Sequence, residues 1–405
     1  MRPKLLAASL LAAAACAGCK KEPAPPAPPS SASSSAALPA PSASAPSAAT
    51  PAGDSAGVVR LPAEVGAGDE LGYSVGSVGD RVVVTSFKRR GKTEDSHPGS
   101  VFVFKDSGGK LELEAELVAP GSHQLGNAVA FDGSVILAGA LYDDGKSKET
   151  GAAYVFSRDD KGWSKGEKLS ASDAKKDDSF GIGVALAGST LVVGNSREAG
   201  GALYGFERGK AGFGLKQTLP FKHQNGPAEV ISASGDLVVV GAPYSGKLNE
   251  QGLVIVYRRG KAGFEQVAEL VETEAAETQH FGSTVTVAGT TLAATSDKQI
   301  SLFSETDGAW KESARFTPPL TTGLADAALA LGDGLLAVGF PLVEAGRVLL
   351  YKKRDGGWKL ERTVTAPDGK NEDWFGYSLA ISNERLVIGA PLVAERTGAA
   401  YVLRL

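Results

Sequence analysis

The sequence predicts an all-β protein: a seven-bladed β-propeller of four-stranded antiparallel blades, closed into a ring by an N-terminal strand. Three observations lead there. A strand-turn-strand unit recurs seven times, the second strand of each unit is a continuous apolar run, and glycine makes up 51 of 405 residues. Glycine at that level suits a chain that turns often between short strands. Packing alone must hold such a domain. Both cysteines, Cys16 and Cys19, fall before residue 20, which leaves the folded part no disulfide framework and no thiolate metal site. A net charge of -4 offers no basic footprint for nucleic acid and no polybasic membrane patch.

Residues 1–19, MRPKLLAASLLAAAACAGC, open with Arg2 and Lys4, continue with an apolar run from Leu5 to Ala15, and end in small residues before a cysteine. That is the pattern of a secretory signal, and the apolar run is too short to span a bilayer. Ending in Ala-Gly-Cys before two lysines, it resembles a bacterial lipoprotein signal. The resemblance implies acylation of Cys19, with Cys16 as the alternative acceptor. Lys20 in place of an aspartate resembles lipoproteins sorted to the outer membrane. The chain is therefore expected to be secreted across the inner membrane and lipid-anchored at the outer membrane, on its periplasmic or surface face. An ordinary cleaved signal is the simpler alternative. Several acyl chains at ~0.8 kcal/mol per buried methylene would hold it there.

Residues 20–57 form a Pro/Ala/Ser-rich linker with no aromatic residue, which cannot bury a core and is expected to be disordered. Where polyproline-like it gains roughly 3.1 Å per residue, a reach of up to ~110 Å.

Residues 58–405 carry the repeat. Its clearest copy is the seventh, FGYSLAISNERLVIGAPLVAERTGAAYVLRL, and the first begins LGYSVGSVGDRVVVTSF. A glycine opens each copy as Gly72, Gly126, Gly181, Gly226, Gly282 and Gly376, and is missing only around Asp326 in the sixth. The spacing is about 45 to 56 residues, with a fourth strand after each aromatic one, such as GWSKGEKLSA, GFEQVAEL and GWKLERTVTAPD. Regular four-stranded units rich in turn glycine read as propeller blades. Runs such as RLVIGAP and LVVVGAP do not alternate, so both faces of the blade are covered, as when blades stack. The opening glycine fits a crowded place near the axis. The seventh copy supplies three strands, and a blade with three leaves an edge bare. VVRLPAEVGAGDELGYS lines up with RTVTAPDGKNEDWFGYS, which places Val58 to Leu61 beside GAAYVLRL as the missing fourth strand.

The phrases FGYSLAI and VIGAP resemble the FG-GAP repeats of the integrin α-chain propeller and its bacterial relatives, over about residues 58 to 405. The resemblance implies a seven-bladed propeller devoted mainly to binding. In that family several blades hold calcium in an Asp-rich loop between the first two strands. Here the turns are FDGS, LAGST, ASGD, VAGT, LGDG and SNER, too short and too poor in carboxylates for a six- to eight-oxygen cage. No metal and no cofactor is expected.

Two motifs look catalytic. Gly72 to Gly76 reads GYSVG, the nucleophile-elbow pattern, but it opens a repeat strand and returns as GYSLA at Gly376, without the strand-turn-helix context the elbow needs. GAPYSGKL from Gly241 resembles a phosphate loop, but has Leu248 where a hydroxyl should hold magnesium. Histidine is more suggestive. In a meander the second-to-third loops and the blade connectors emerge on one face, which gathers His97, His123, His223 and His280. Asp178 and Asp373 share the connector position, making His123, His223, His280, Asp178 and Asp373 candidates for the rim of the channel mouth. The longest charged loops lie on the same face, with Arg89, Arg90, Lys92 and His97 in the first and Asp143, Asp144 and Lys146 in the second, as candidate recognition loops.

These readings lead to the expectation of a non-catalytic, membrane-anchored binding or scaffold lipoprotein, not an enzyme, presenting this loop face to a protein or glycan. The alternative is an envelope enzyme acting on polysaccharide in a pocket on that face.

Overall fold

The computed structural model describes residues 53–91, 97–144, 149–196, 201–210, 212–221, 230–320, 323–332, 334–382 and 384–405. Cys16, Cys19, the linker up to residue 52, Lys92, Lys146 and His223 lie outside them. Seven antiparallel sheets follow one another along the chain. In the first, Leu71–Val78, Arg81–Ser86, Ser100–Ser107 and Lys110–Leu117 lie side by side in chain order. The following blades span 129–169, 183–220, 231–270, 285–316 and 328–364, and the seventh spans 378–404. First strands pack against first strands around the ring, and Ser378–Ser382 of blade seven meets Leu71–Val78 of blade one.

The ring closes where the sequence places the closure. Val58–Arg60 forms the fourth strand of blade seven, with Val59 opposite Val402 and Arg60 opposite Tyr401. The Leu61 amide extends the ladder by donating to the Ala400 carbonyl at 2.8 Å. Upstream, the Asp54 amide donates to Thr363 O at 2.8 Å and its carbonyl accepts from Thr365 N at 3.1 Å, so the same segment also grips blade six. The flanking Arg60–Asp368 contact at 2.9 Å is exposed on both sides and adds little by itself. Val58 and Leu61 supply the burial, at 8% and 5% exposed.

Among the described residues the core divides into seven clusters, one in each seam between blades. In blade one, Val82 and Val84 join Phe102 and Phe104 in the seam with blade seven, while Val83 joins Val101 and Val103 in the seam with blade two. Successive strand residues point to opposite faces, so a strand buried on both faces must be apolar at every position. This is the physical cause of the unbroken runs VVV, VILA and LVVV.

The recurring glycines sit where two blades touch through their backbones. Gly72, Gly181, Gly282 and Gly376 adopt φ near +90°, and a Cβ on Gly389, Gly139, Gly241 or Gly339 of the preceding blade would lie 2.0 Å from their carbonyl oxygens. Neighbouring polar side chains close the same crossing. Ser378 Oγ donates to Gly72 O at 2.8 Å, and Asn127 Nδ2 to Gly181 O at 2.9 Å. Ser74, the serine of the elbow-like motif, is part of this stitching: its hydroxyl accepts from Val129 N at 3.1 Å. It is a seam residue, and no base touches it among the described contacts.

Gly389→Ala is expected to destabilise by about 3 kcal/mol, at the upper end for overpacking against a rigid neighbour, whereas Gly214→Ala, with nothing within 4 Å, leaves the denaturant midpoint almost unchanged. A chain starting at Glu64 is expected to melt roughly 5–10 °C below one starting at Gly53, since each buried aliphatic side chain lost is worth about 1.5–3 kcal/mol; equal midpoints in calorimetry would remove the closing role of Val58 to Leu61.

Candidate functional site

The face carrying the second-to-third loops and the blade connectors is sewn together blade by blade. Isolated parallel bridges join Gly99 to Leu125, Gly151 to Phe180, Gly252 to Phe281, Gly346 to Phe375 and Gly398 to Leu71. Each links the end of one blade's loop to the start of the next blade. The loops therefore stand on a fixed floor.

The connectors share one turn. Asp69, Asp178 and Asp373 are 1%, 5% and 6% exposed, and their carboxylates accept the amides of Gly66, Lys175 and Lys370 at 2.7, 2.7 and 2.6 Å. The residue after each, Glu70, Ser179 and Trp374, takes a positive φ of 56°, 49° and 61°. Short polar side chains that cap their own turn make this conformation accessible. Asp178 and Asp373 are thus buried turn caps and do not rim an opening. Gln279 does the same work before His280, accepting Ala276 N at 2.9 Å.

The other candidates are distributed as follows. Arg89 is held by Asp69 at 2.7 Å and Glu116 at 3.0 Å and lies over the Phe102 ring, so it anchors its loop. Arg90 is exposed, its amide donating to Asp69 Oδ1 at 3.1 Å. His97 receives Gln124 N on its carbonyl at 2.8 Å, and exposed His123 has Nδ1 3.4 Å from Tyr142 O. Asp143 is buried, accepting the Tyr154 hydroxyl at 2.7 Å and Lys168 Nζ at 3.0 Å; burial and then this carboxylate push the Tyr154 hydroxyl pKa up. Asp144 is exposed and caps Glu149 N at 2.9 Å. His280 has Nδ1 2.9 Å from Asp297 Oδ2 and Nε2 3.3 Å from Glu250 Oε2, with the Tyr244 ring against its edge at 5.3 Å. Its two carboxylates sit on different ring nitrogens, which does not gather three ligands about one ion. Among the described residues no three His, Cys, Asp or Glu side chains form a metal-holding group.

What the structure does bring together is a row of aromatic rings across the closure seam. Trp374 stacks on Tyr377 at 5.5 Å, Tyr377 meets Tyr73 at 5.2 Å, Tyr73 stacks on Phe87 at 4.7 Å, and Phe87 meets Tyr142 at 6.3 Å. Phe87 and Tyr377 are buried, while Trp374, Tyr73 and Tyr142 keep part of their surface. Burial pushes the Tyr73 hydroxyl up to about 12. Beside the row Glu70, 2% exposed, accepts Lys88 Nζ at 3.1 Å and Arg396 Nε at 2.7 Å. Aromatic faces beside a charged group are the composition of recognition hot spots. Sequence reasoning missed this row because its members come from three blades; the one available signal was that Tyr73 and Tyr377 share the position after the opening glycine.

Residues 114–156, 163–206 and 358–403 match the family model described as FG-GAP repeat. Each matched segment runs from the fourth strand of one blade to the third of the next, so the sequence unit and the blade are out of phase. No curated protein matches the chain. Among solved structures, a protein from Lactobacillus plantarum is similar with a TM-score of 0.53 and 16% identity, over 76% of this chain and 88% of that one. A Bacteroides fragilis protein described as a "putative 6-phosphogluconolactonase" has a TM-score of 0.51 and 12% identity, over 77% of this chain and 87% of that one. Identities this low speak to the fold alone. They correct one expectation, that the chain is not an enzyme: its fold is shared with a protein described as a "putative 6-phosphogluconolactonase".

The connector before blade five supplies a pH-dependent test. Glu272 is 3% exposed and accepts Ser296 Oγ at 3.1 Å and Ser301 Oγ at 2.9 Å. Burial raises its pKa above the usual 4.5, with the hydroxyls pulling partly back. A carboxyl whose folded pKa is raised costs nothing below its unfolded value, and subtracts from stability as pH rises through the folded one. Glu272→Gln should therefore raise the melting temperature at pH 7 and leave it unchanged near pH 4, as followed by circular dichroism.

Proposed function

Because three segments of this β-propeller match the FG-GAP repeat, we propose that it is a binding module whose loop face, centred on the aromatic row from Trp374 to Tyr142, engages a protein or glycan partner. The row is the observation that carries this reading. Partly exposed aromatic rings offer large contact area at little cost in side-chain entropy, and Arg90 and Asp144 lie in the exposed loops around them. Acylation at Cys19, or at Cys16, would anchor the protein to the outer membrane and the Pro/Ala/Ser-rich segment would hold the propeller off it.

A photo-crosslinker at Arg90 or Asp144, used in the native envelope, is expected to capture one dominant partner. Trp374→Ala with Tyr142→Ala should weaken that complex tenfold or more, the loss typical of central aromatic contacts. Labelling by a radioactive fatty acid should disappear in Cys19→Ser; persistence there and loss in Cys16→Ser would move the anchor to Cys16.

A second reading is favoured by His280, whose imidazole between Glu250 and Asp297 has the surroundings of a general base. Under it the loop face acts on a saccharide, and hydrolysis of 6-phosphogluconolactone by the full chain, lost in His280→Ala, is the assay. Equal rates in the two chains would remove it.

A further inference from the structure

The face opposite the loops carries a cleft in blade two, where among the described residues the outer strand is broken. Outer strands in blades one, three, four, five and six run unbroken for 8 or 9 residues. In blade two the outer strand splits into Gly162–Trp163 and Glu167–Leu169. Between them Ser164 leaves the ladder and bonds to Ser157, its amide donating to Ser157 O at 2.9 Å and its hydroxyl accepting Ser157 N at 3.0 Å. The break is specified by sequence. Gly166 has φ +87°, and a Cβ there would lie 2.8 Å from the Phe156 ring.

The displaced segment opens a cavity of about 680 Å³ between blades two and three, within the range of small-ligand sites. Its charge is opposite to that of the chain. Arg158, Lys161, Lys165 and Arg208 line it with two carboxylates, Asp159 and Glu167, in a protein of net charge -4; of the four cations Arg158 is paired with Glu114 at 3.3 Å. Each carboxylate holds a backbone amide, Asp159 Oδ1 accepting Lys161 N at 2.8 Å and Glu167 Oε1 accepting Phe213 N at 2.6 Å. Arg208 reaches in from blade three to donate to Ser157 Oγ at 2.5 Å, with its guanidinium over the Phe213 ring at 4.6 Å. Lys161 and Lys165 are exposed and pair with no carboxylate among the described residues. Trp163 completes the wall, its indole N–H aimed at Glu114 Oε2, 3.4 Å away.

We propose that this cleft binds an acidic saccharide, one bearing a carboxylate or a phosphate. The cations meet the anionic group, the serines of the lining meet hydroxyls, and the indole offers a flat apolar face to the ring carbons.

Titration calorimetry on the full chain at low salt, with trigalacturonate, galactose 6-phosphate and neutral galactotriose as probes, tests it. At least one acidic probe should bind ten times more tightly than galactotriose, and which one does so tells a carboxylate from a phosphate source. Lys161→Glu with Lys165→Glu, both exposed, should abolish that binding without moving the melting temperature, while Trp374→Ala on the loop face leaves it intact. Trp163→Phe, which keeps every charge, should weaken it severalfold. Equal binding of galactotriose, survival of binding after charge reversal, or no binding of either acidic probe would overturn the proposal.

Discussion

Burial of both faces of every blade is the constraint on which the rest of the molecule depends. A sheet with one covered face can end anywhere, but a stack of sheets apolar on both sides can end only by meeting itself. The seam between blades seven and one is therefore as apolar as the others, with Val387, Ala400 and Val402 packed on Val82, Val84 and Phe102. Elsewhere a tight turn joins third strand to fourth. Here the join is noncovalent, made by the short ladder at Val58 to Leu61. These few hydrogen bonds and the burial of Val58 and Leu61 complete the outer edge of blade seven.

Backbone crowding at the inner seams follows from the same stacking. Blades approach closely enough that the second-strand glycine of one lies against the carbonyl of the next blade's opening glycine, as Gly389 does against Gly72. The position is fixed by contact between main chains, so it recurs in the sequence with the period of the blade. Hydroxyl and amide side chains at Ser378, Asn127 and Thr85 then satisfy carbonyls that no strand partner reaches. A motif that looks like a nucleophile elbow is a consequence of this geometry, not of chemistry at serine.

The loop face shows how a rigid floor turns local polar residues into structure. Asp69, Asp178 and Asp373 occupy the same connector position and are consumed by the same turn, and Arg89 is consumed by Asp69. Among the described residues, the outer rings of the aromatic row, Arg90 and His123 keep surface that these turns do not use. On the opposite face the broken strand of blade two departs from the repeat, and the charge of its cleft departs from that of the chain.

By itself the sequence determined the fold class, the number of blades, the strand order and the closing strand, because each is set by a local period: alternation within a strand, glycine at a turn, an aromatic strand at fixed spacing. Tertiary structure alone decided which polar residues are free. Asp178 and Asp144 look alike in the sequence and each accepts a backbone amide, and only the fold buries the first and leaves the second exposed. It alone assembled the row of Trp374, Tyr377, Tyr73, Phe87 and Tyr142, since rings about 300 residues apart become neighbours only when the ring closes. Local periodicity is written in adjacent residues, whereas a site is a meeting of distant ones, and the distance between them is set by packing.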